Sequence, residues 1–233
     1  MKAQGTEPSP MVLARAAGIL YLVIIVCAGF AEGFVRSVLV VSGDAAATAG
    51  NILANEGLFR LGFAADLVAF ISDLVVAVLF YLLLKPVSRT LSLIAAFLRV
   101  LAHPAIASVN LLNHFAVLII LSGAGYLSVF NADQLNALAL LSLETHRYGY
   151  LVGGAFFGFH CLLLGYLLLK SDLFPGILGV LMALASLGYL AESFGNFLFP
   201  GHEQILTLAV AVPAVIAEVS LCLSLVIRGV KRI

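Results

Sequence analysis

Long apolar segments alternate with short polar segments along almost the whole chain. Six of them have the character of helices, at residues 12–35, 59–84, 91–121, 148–169, 174–194 and 205–228. Each contains about 20 residues or more, and a helix of that length crosses the roughly 30 Å hydrocarbon layer of a bilayer. The pattern therefore predicts an all-α fold, a polytopic transmembrane helical bundle with six spans.

The composition agrees with this prediction. Of the 233 residues, 63% are hydrophobic and 10% are charged, and the mean hydropathy is +1.15. Soluble domains are about half apolar and about a quarter charged. We predict a single six-helix domain over residues 11–233, preceded by a cytoplasmic tail at residues 1–10, with the lipid bilayer as partner. The formal net charge is zero, which argues against a nucleic-acid partner because such a partner requires a basic patch.

The basic residues predict the orientation. Eight lie on the side of the membrane that carries both chain ends, and three lie on the other side: Arg36, Arg60 and Arg147. Because Lys and Arg accumulate in cytoplasmic loops, we expect both termini in the cytoplasm and the chain in the cytoplasmic membrane. The first apolar segment also resembles a signal peptide, but it continues past Ala31, which favours a retained helix.

Local signals predict several details of the helices. Pro104 lies inside the third span and predicts a kink near Ile106, because proline lacks a backbone donor. Asp44 is a good N-cap for a short helix that reaches Asn55. A capping-box pattern begins at Asn131 and precedes a leucine-rich stretch to Leu143. We expect that stretch to lie along the interface or to fold back on the bundle.

Polar residues inside the spans are the candidates for function. An ionisable residue at this depth costs about 2.5–3.5 kcal/mol on insertion scales, so it usually faces the bundle interior and has a partner. Spacing places such residues on shared helix faces in spans two to six. The candidate interior binding residues are Asp66, Asp73, Arg99, His103, Asn110, His160, Glu192 and Glu218.

Counting along each helix at about 1.5 Å per residue sorts these residues into two layers. The inner layer is a buried Arg99 with Asp73 and Glu218 as acidic partners, flanked by His103 and His160. The outer layer contains Asp66, Asn110, His114, Glu192 and Asn196. Which helices are neighbours does not follow from the spacing.

Three interpretations of the inner layer compete. Arg99 with Asp73 or Glu218 can be a structural ion pair that fixes helix registry. The polar layers can instead line a cavity for a ligand or a permeation path. The third interpretation is a metal or haem site that uses His103 and His160, with a carboxylate as ligand or base. The sequence has no HExxH motif, so no cofactor is predicted and metal ligands stay unknown.

Motifs for nucleophilic catalysis, phosphate binding and dinucleotide binding do not occur in the sequence. We therefore predict no catalytic residue and leave the question of enzymatic activity open, with a non-enzymatic protein favoured.

A set of short motifs is spread along the chain: Gly43-Asp44-Ala45, Thr48-Ala49, Asn51-Ile52, Glu56, Leu58-Phe59-Arg60, Asp66-Leu67, Gly165-Tyr166-Leu167, Lys170-Ser171, Pro175, Leu178-Gly179-Val180-Leu181 and Gly188-Tyr189-Leu190. In these motifs the chain resembles a family of small bacterial and archaeal membrane proteins that is catalogued only as a domain of unknown function. The resemblance covers nearly the whole chain after the first ten residues. It implies a multi-pass inner-membrane protein and no particular activity.

These motifs draw attention to the first external loop, where polar residues lead into the second span. They can cap and brace the loop, or they can form a mouth over the outer polar layer. The external loop candidates are Asp44, Thr48, Asn51, Glu56 and Arg60.

The sequence as a whole favours a membrane protein that binds or passes a small molecule or lipid through a polar interior. The alternatives are an intramembrane metal- or haem-dependent enzyme that uses His103 and His160, and an accessory or scaffold subunit. The oligomeric state is open.

Overall fold

The computed structural model describes residues 8–231, which form helices and connecting loops and contain no strands. The predicted tail lies largely outside this range, as do Lys2 and Arg232 of the charge comparison. The helices are α1 (Pro10–Leu39), α2 (Ala45–Ala54), α3 (Glu56–Leu84), α4 (Arg89–Ile120), α5 (Ala132–Lys170), α6 (Gly176–Leu198) and α7 (Glu203–Arg228).

Within residues 8–231, six helices are long and apolar enough to cross a membrane, namely all of these except α2. The prediction of six spans is therefore confirmed. The bundle has two ends, named here by what they carry. Both described chain ends lie on the terminus side, and α2 with the loop after α4 lies on the loop side.

The largest departure from the predicted boundaries is in the fourth span. The leucine-rich stretch up to Leu143 is not a separate interfacial or folded-back element, because α5 runs unbroken for 39 residues. The polar residues after Leu143 are accommodated within the helix. His146 is buried, and Arg147 Nε donates to Glu144 Oε2 at 3.2 Å across one turn.

The predicted caps are present. The Asp44 side chain accepts from Ala47 N at 2.9 Å and starts α2. At the start of α5, Asn131 Oδ1 accepts from Gln134 N, and Gln134 Oε1 accepts from Asn131 N, both at 2.9 Å. These bonds satisfy backbone donors that the first helical turn leaves without partners.

Around Pro104 the backbone of α4 widens into a π-helical segment, Leu101–Ala107. Proline removes one backbone donor and crowds the preceding turn. A wider turn accommodates both effects, and such segments often occur where a helix presents functional side chains. The predicted disturbance near Ile106 therefore takes the form of a local π-helical turn.

The spans form a closed ring in chain order. Each packs against the next, and α1 packs against α7 to close the ring. At this closure Gly18 lies so near α7 that an added Cβ would be 2.8 Å from Leu225 Cβ and from Val226 N. The absence of a side chain at Gly18 thus permits the first and last spans to pack closely.

The two ends of the ring are filled differently. A large apolar cluster closes the terminus side and includes Ala14, Phe80, Leu84, Leu168, Phe174 and Leu225, all 4% exposed or less. Nearer the loop side, smaller clusters pack α2 and the ends of the spans together. Between these regions the centre of the ring is open, and this space positions the candidate site.

Candidate functional site

A cavity of about 500 Å³ lies inside the ring, toward the loop side, and all the spans contribute to its wall. Its apolar wall includes Ile24, Leu143, Leu151 and Phe157. Its polar wall includes Glu32, Arg36, Asp66, Asp73, His103 and Glu192. Four of these six, Asp66, Asp73, His103 and Glu192, are predicted interior residues, so the sequence-based selection of helix faces and the cavity coincide there.

An ionic cluster forms the floor of the cavity. Arg99 Nη2 lies 2.5 Å from Asp73 Oδ1, and both side chains are 1% exposed. The other carboxylate oxygen, Asp73 Oδ2, lies 3.0 Å from His103 Nδ1. Arg99 Nη1 lies 3.1 Å from His160 Nε2. The arrangement predicted for Arg99, Asp73, His103 and His160 is therefore present, across α3, α4 and α5.

Aromatic rings enclose the guanidinium of Arg99. Its Cζ atom lies 4.9 Å from the ring centre of Tyr21, 5.2 Å from that of Phe157 and 5.8 Å from that of Phe80. A cation over the face of an aromatic ring is attracted by the electrons of the ring. These contacts replace part of the hydration that Arg99 loses on burial. The sequence analysis did not select the three rings, because aromatic residues in spans are common.

Glu218 is not the second ion-pair partner of Arg99 among the described residues. Its carboxylate accepts hydrogen bonds from the hydroxyl groups of Tyr21, at 3.2 Å, and Tyr189. Counting residues along the helices placed Glu218 at the level of Arg99. In the structure, Tyr21 of α1 and Tyr189 of α6 bond to the Glu218 carboxylate instead. Glu218 therefore joins the cluster indirectly, since Tyr21 also packs against Arg99.

A second ion pair lies higher in the wall and was missed by sequence reasoning. Arg36 Nη1 lies 2.7 Å from Asp66 Oδ2, and Arg36 Nε lies 2.5 Å from Glu32 Oε2. Arg36 is only 8% exposed, although the orientation argument treated it as an external loop residue. The available signal was Glu32 one turn earlier, since a pair at i,i+4 can support a charge within a helix.

The predicted outer layer is divided rather than continuous. Asn110 Nδ2 donates to His146 O at 2.6 Å, and His146 Nδ1 lies 3.0 Å from Asn110 O, so these residues join α4 to α5. The ring of His114 stacks on the ring of Phe59, and His114 Nε2 lies 3.2 Å from the backbone oxygen of Phe59.

Glu192 belongs to a separate part of the wall. Its Oε1 atom accepts from the hydroxyl of Thr207 at 3.2 Å, which joins α6 to α7. Asn196 donates to the backbone oxygen of Glu192 at 2.9 Å and approaches Arg147 Nη1 at 3.4 Å. The members of the predicted outer layer thus bond within five different helix pairs, α1–α3, α3–α4, α4–α5, α5–α6 and α6–α7.

The external loop candidates make local contacts. Thr48 exchanges hydrogen bonds with the backbone of Val41, and Asn51 donates to Leu39 O at 3.3 Å. Glu56 and Arg60 form an exposed ion pair at 2.6 Å. Within the part of the chain that the structure describes, the wall of the cavity includes none of the five candidates. The contacts support the capping interpretation over a mouth.

The histidines bear on the proposed metal site. Among residues 8–231 there is no group of three or more His, Cys, Asp or Glu side chains that could hold a metal ion. His160 Nδ1 lies 2.8 Å from the carbonyl of Ala95 and therefore donates its proton there, so Nε2 accepts from Arg99. Both ring nitrogens of His160 are thus engaged by the protein. The metal or haem hypothesis stays a prediction without support from this geometry.

Comparison with known proteins identifies a family but no activity. The profile of the family described as "Domain of unknown function (DUF4386)" matches residues 16–229. The chain therefore belongs to this family, as the sequence motifs indicated. An uncharacterized protein of Archaeoglobus fulgidus is 31% identical over 128 residues, which are 54% of this chain and 62% of that protein. No solved structure matches the chain.

Proposed function

We propose that this protein is a non-enzymatic membrane protein that binds a small molecule or a lipid in the cavity inside its ring of spans. The observation that carries the proposal is the cavity itself, with about 500 Å³ of space and a wall that is charged in parts and apolar in others. Ligand sites have volumes of about 300–1,000 Å³ and combine apolar walls with a few polar groups. A filled structural ion-pair network would leave no such space.

The shape of the interior supports binding rather than free passage in this conformation. The floor at Asp73 and His103 rests on the apolar cluster that closes the terminus side. Toward the loop side the wall includes Glu32, whose side chain is 73% exposed, and the exposed Thr207. The cavity therefore opens toward one side and is closed toward the other.

A substitution that fills the cavity tests the proposal. Ala28 lies in the wall on α1 and is partly buried, so Ala28→Trp places a large ring in the space. The protein is extracted from its own membranes in a mild detergent and measured by native mass spectrometry, and its bound molecules are identified after solvent extraction. We expect a bound molecule on the wild type and its loss from Ala28→Trp.

The matched control is Ala211→Trp, because Ala211 is exposed on the outer surface of α7. This variant adds the same ring outside the cavity and is expected to retain the bound molecule. A wild type that carries no bound molecule, or an Ala28→Trp variant that carries as much as the wild type, would contradict the proposal.

We also propose that the protein lies in the cytoplasmic membrane with both termini in the cytoplasm. The excess of basic residues in the loops of the terminus side supports this orientation. Lys85, Arg89 and Lys170 lie near helix ends on that side.

A further inference from the structure

The contact that closes the ring between α1 and α7 covers only part of these helices. Most of it lies at the terminus-side end of α7, in the segment Ser224–Arg228. The close approach of Gly18 belongs to this region. Toward the centre of the bundle, the hydroxyl of Tyr21 donates to Glu218 Oε2 at 3.2 Å and joins the two helices once more. The terminus-side halves of α1 and α7 are therefore held together.

Farther toward the loop side, the same face of α1 is open. Gly29 follows Gly18 by about three helical turns and therefore lies on the same face of the helix. An added Cβ on Gly29 would meet nothing within 4 Å, and the residue is exposed. Along this face, the contact with α7 at Gly18 gives way to open space at Gly29 among the described residues.

The face of α7 that looks toward α1 shows the same change. Cys222 Sγ lies 3.5 Å from Gly18 O, and Cys222 is 2% exposed. Val215 lies about two turns nearer the loop side on that face, and it is 62% exposed. Pro213 lies inside α7 next to this level, and a proline inside a helix is a common cause of a bend. The helices therefore diverge toward the loop side and leave a slot, defined here by Gly29 and Val215.

The slot leads into the cavity. Ala28, the neighbour of Gly29, lies in the cavity wall and is partly buried. Nearer the loop side, Glu32 of α1 and Thr207 of α7 belong to the same wall, and both are exposed. The opening of the cavity on the loop side therefore continues down the side of the ring, between α1 and α7.

The slot lies at the depth of the lipid chains. At about 1.5 Å per residue, Gly29 is about 15 Å from the loop-side end of α1, and Val215 is about 18 Å from that of α7. Both depths lie within the hydrocarbon layer, because only the outer several Å of a bilayer of about 40–45 Å belong to the headgroups. The exposed neighbours Val26 and Val212 are apolar, so lipid chains rather than water cover the slot.

The polar rim lies above the slot, nearer the headgroups. By the same count, Glu32 is about 10 Å and Thr207 about 6 Å from the loop-side ends of their helices. A polar wall at this level and an apolar slot beneath it match the two parts of a lipid molecule. The cavity of about 500 Å³ need not hold the whole molecule, because the chain extends outward between the helices.

We propose that the ligand of the cavity is a membrane lipid that enters from the bilayer through the slot, with its polar head in the cavity and its hydrocarbon chain between Gly29 and Val215. This inference rests on the proposed binding function and specifies the class and the source of the ligand. The wall near Glu32 and Thr207 meets the head, and the apolar rims of the slot pack against the chain. A water-soluble molecule would make no use of the slot.

A fluorescent reporter inside the cavity tests whether lipid chains reach it. The chain contains no tryptophan, so Phe70→Trp introduces a single one. Phe70 lies in the cavity wall and packs in one cluster with Ile24 and Cys27 of α1, which places it near the level of Gly29. The variant is reconstituted into vesicles of the host cell's own polar lipids, with or without bromine added across the double bonds of their chains. Because bromine quenches tryptophan only at short range, we expect the brominated lipids to quench the reporter.

A substitution in the slot separates entry by this route from quenching across the wall. Gly29→Ile in the Phe70→Trp protein adds a β-branched side chain, which a helix holds largely in one rotamer, and so narrows the slot. We expect it to remove most of the quenching and to leave the thermal stability nearly unchanged, because the space around Gly29 is open.

Gly57→Ile is the matched control for this substitution. An added Cβ on Gly57 also meets nothing within 4 Å, and Gly57 lies at the start of α3, away from the slot. This variant should be quenched as strongly as the reporter protein alone. Tyr150→Trp, in the same cavity wall, provides a second reporter.

The outcomes separate this inference from the function on which it rests. Absence of quenching in both reporters, or equal quenching in Gly29→Ile and Gly57→Ile, would overturn the lipid assignment. A Gly29→Ile variant much less stable than Gly57→Ile would also overturn it, because the slot would then be closed. If native mass spectrometry instead identifies a bound molecule without a hydrocarbon chain, the lipid assignment is wrong and the binding function stands. A wild type without any bound molecule would contradict both.

Discussion

The ion pair at the floor of the cavity gives a quantitative prediction about stability. In Asp73→Asn the carboxylate is lost while Arg99, which is 1% exposed, stays charged and buried. Removing one partner of a buried pair costs about 3–5 kcal/mol because the remaining charge has no counter-charge. For a chain of this size 1 kcal/mol corresponds to about 2–4 °C in Tm, so we expect a loss of about 6–20 °C. Helices unfolded within a membrane still find polar partners, which favours the lower part of this range.

The change in Tm is measured with a thiol-reactive fluorogenic dye, which reports unfolding because Cys161 is 0% and Cys222 is 2% exposed in the folded protein. Two further variants show whether the loss comes from the unpaired charge. The double variant Asp73→Asn/Arg99→Met removes both charges and is expected to recover much of the loss, since replacing a buried pair by neutral groups is often tolerated. Glu56→Gln breaks an ion pair with Arg60 whose side chains are 47% and 52% exposed. Exposed pairs contribute about 0–1 kcal/mol, so this control should lose no more than about 4 °C.

The result that would refute the reasoning is an Asp73→Asn variant as stable as Glu56→Gln. Such a result would mean that the charge of Arg99 is compensated by His160 and the surrounding rings without Asp73. A double variant less stable than Asp73→Asn would also contradict the account, because it would show that Arg99 stabilises the fold without its carboxylate.

Four further predictions follow from the packing, the polar contacts and the topology. Gly165→Val should lower Tm by several degrees, because a Cβ there would lie 2.8 Å from Gly179 O, whereas Gly29→Val should be nearly neutral because an added Cβ meets nothing within 4 Å. Asn110→Ala should cost about 0.5–1.5 kcal/mol by removing the hydrogen bond that its side chain donates to His146 O across the α4–α5 contact, again measured as Tm. Fusions of a cytoplasm-active fluorescent reporter to either end of the chain should fluoresce, and an inactive reporter at both ends would reverse the orientation. Metal analysis and a visible spectrum of protein purified without chelator should show no stoichiometric metal and no Soret band, and a metal or haem signal that His103→Ala abolishes would instead favour the enzyme hypothesis.

The sequence predicted features within one helix better than features that depend on contacts between helices. The cap at Asp44 and the capping box at Asn131 were found because both depend on residues within three positions of each other. The prediction that the leucine-rich stretch to Leu143 lies along the interface or folds back on the bundle was wrong, because the stretch continues into the fourth span as one helix. In the structure, contacts with other helices bury part of that segment, as the bonds between His146 and Asn110 show.

In the candidate site, too, the sequence predicted helix faces but not the contacts between helices. Helix periodicity placed Asp73, Arg99, His103 and His160 on faces that turn inward, and the structure has these side chains in contact with one another. Periodicity could not show that Glu218 bonds to two tyrosines instead of Arg99. That contact depends on Tyr21 of α1 and Tyr189 of α6 reaching the carboxylate from the two helices that flank α7 in the ring.

The sequence by itself determined the class of fold and the six spans, and it selected helix faces that turn several of the candidate charges inward. These properties follow from local rules, since every backbone polar group in lipid must be bonded within its own helix and every charge must avoid the lipid. Only the tertiary structure decided that the spans close into a ring in chain order, that Arg36 belongs to the interior, and that the polar residues surround a cavity. Those features depend on which helix faces meet, and small residues such as Gly18 permit that contact without specifying the partner.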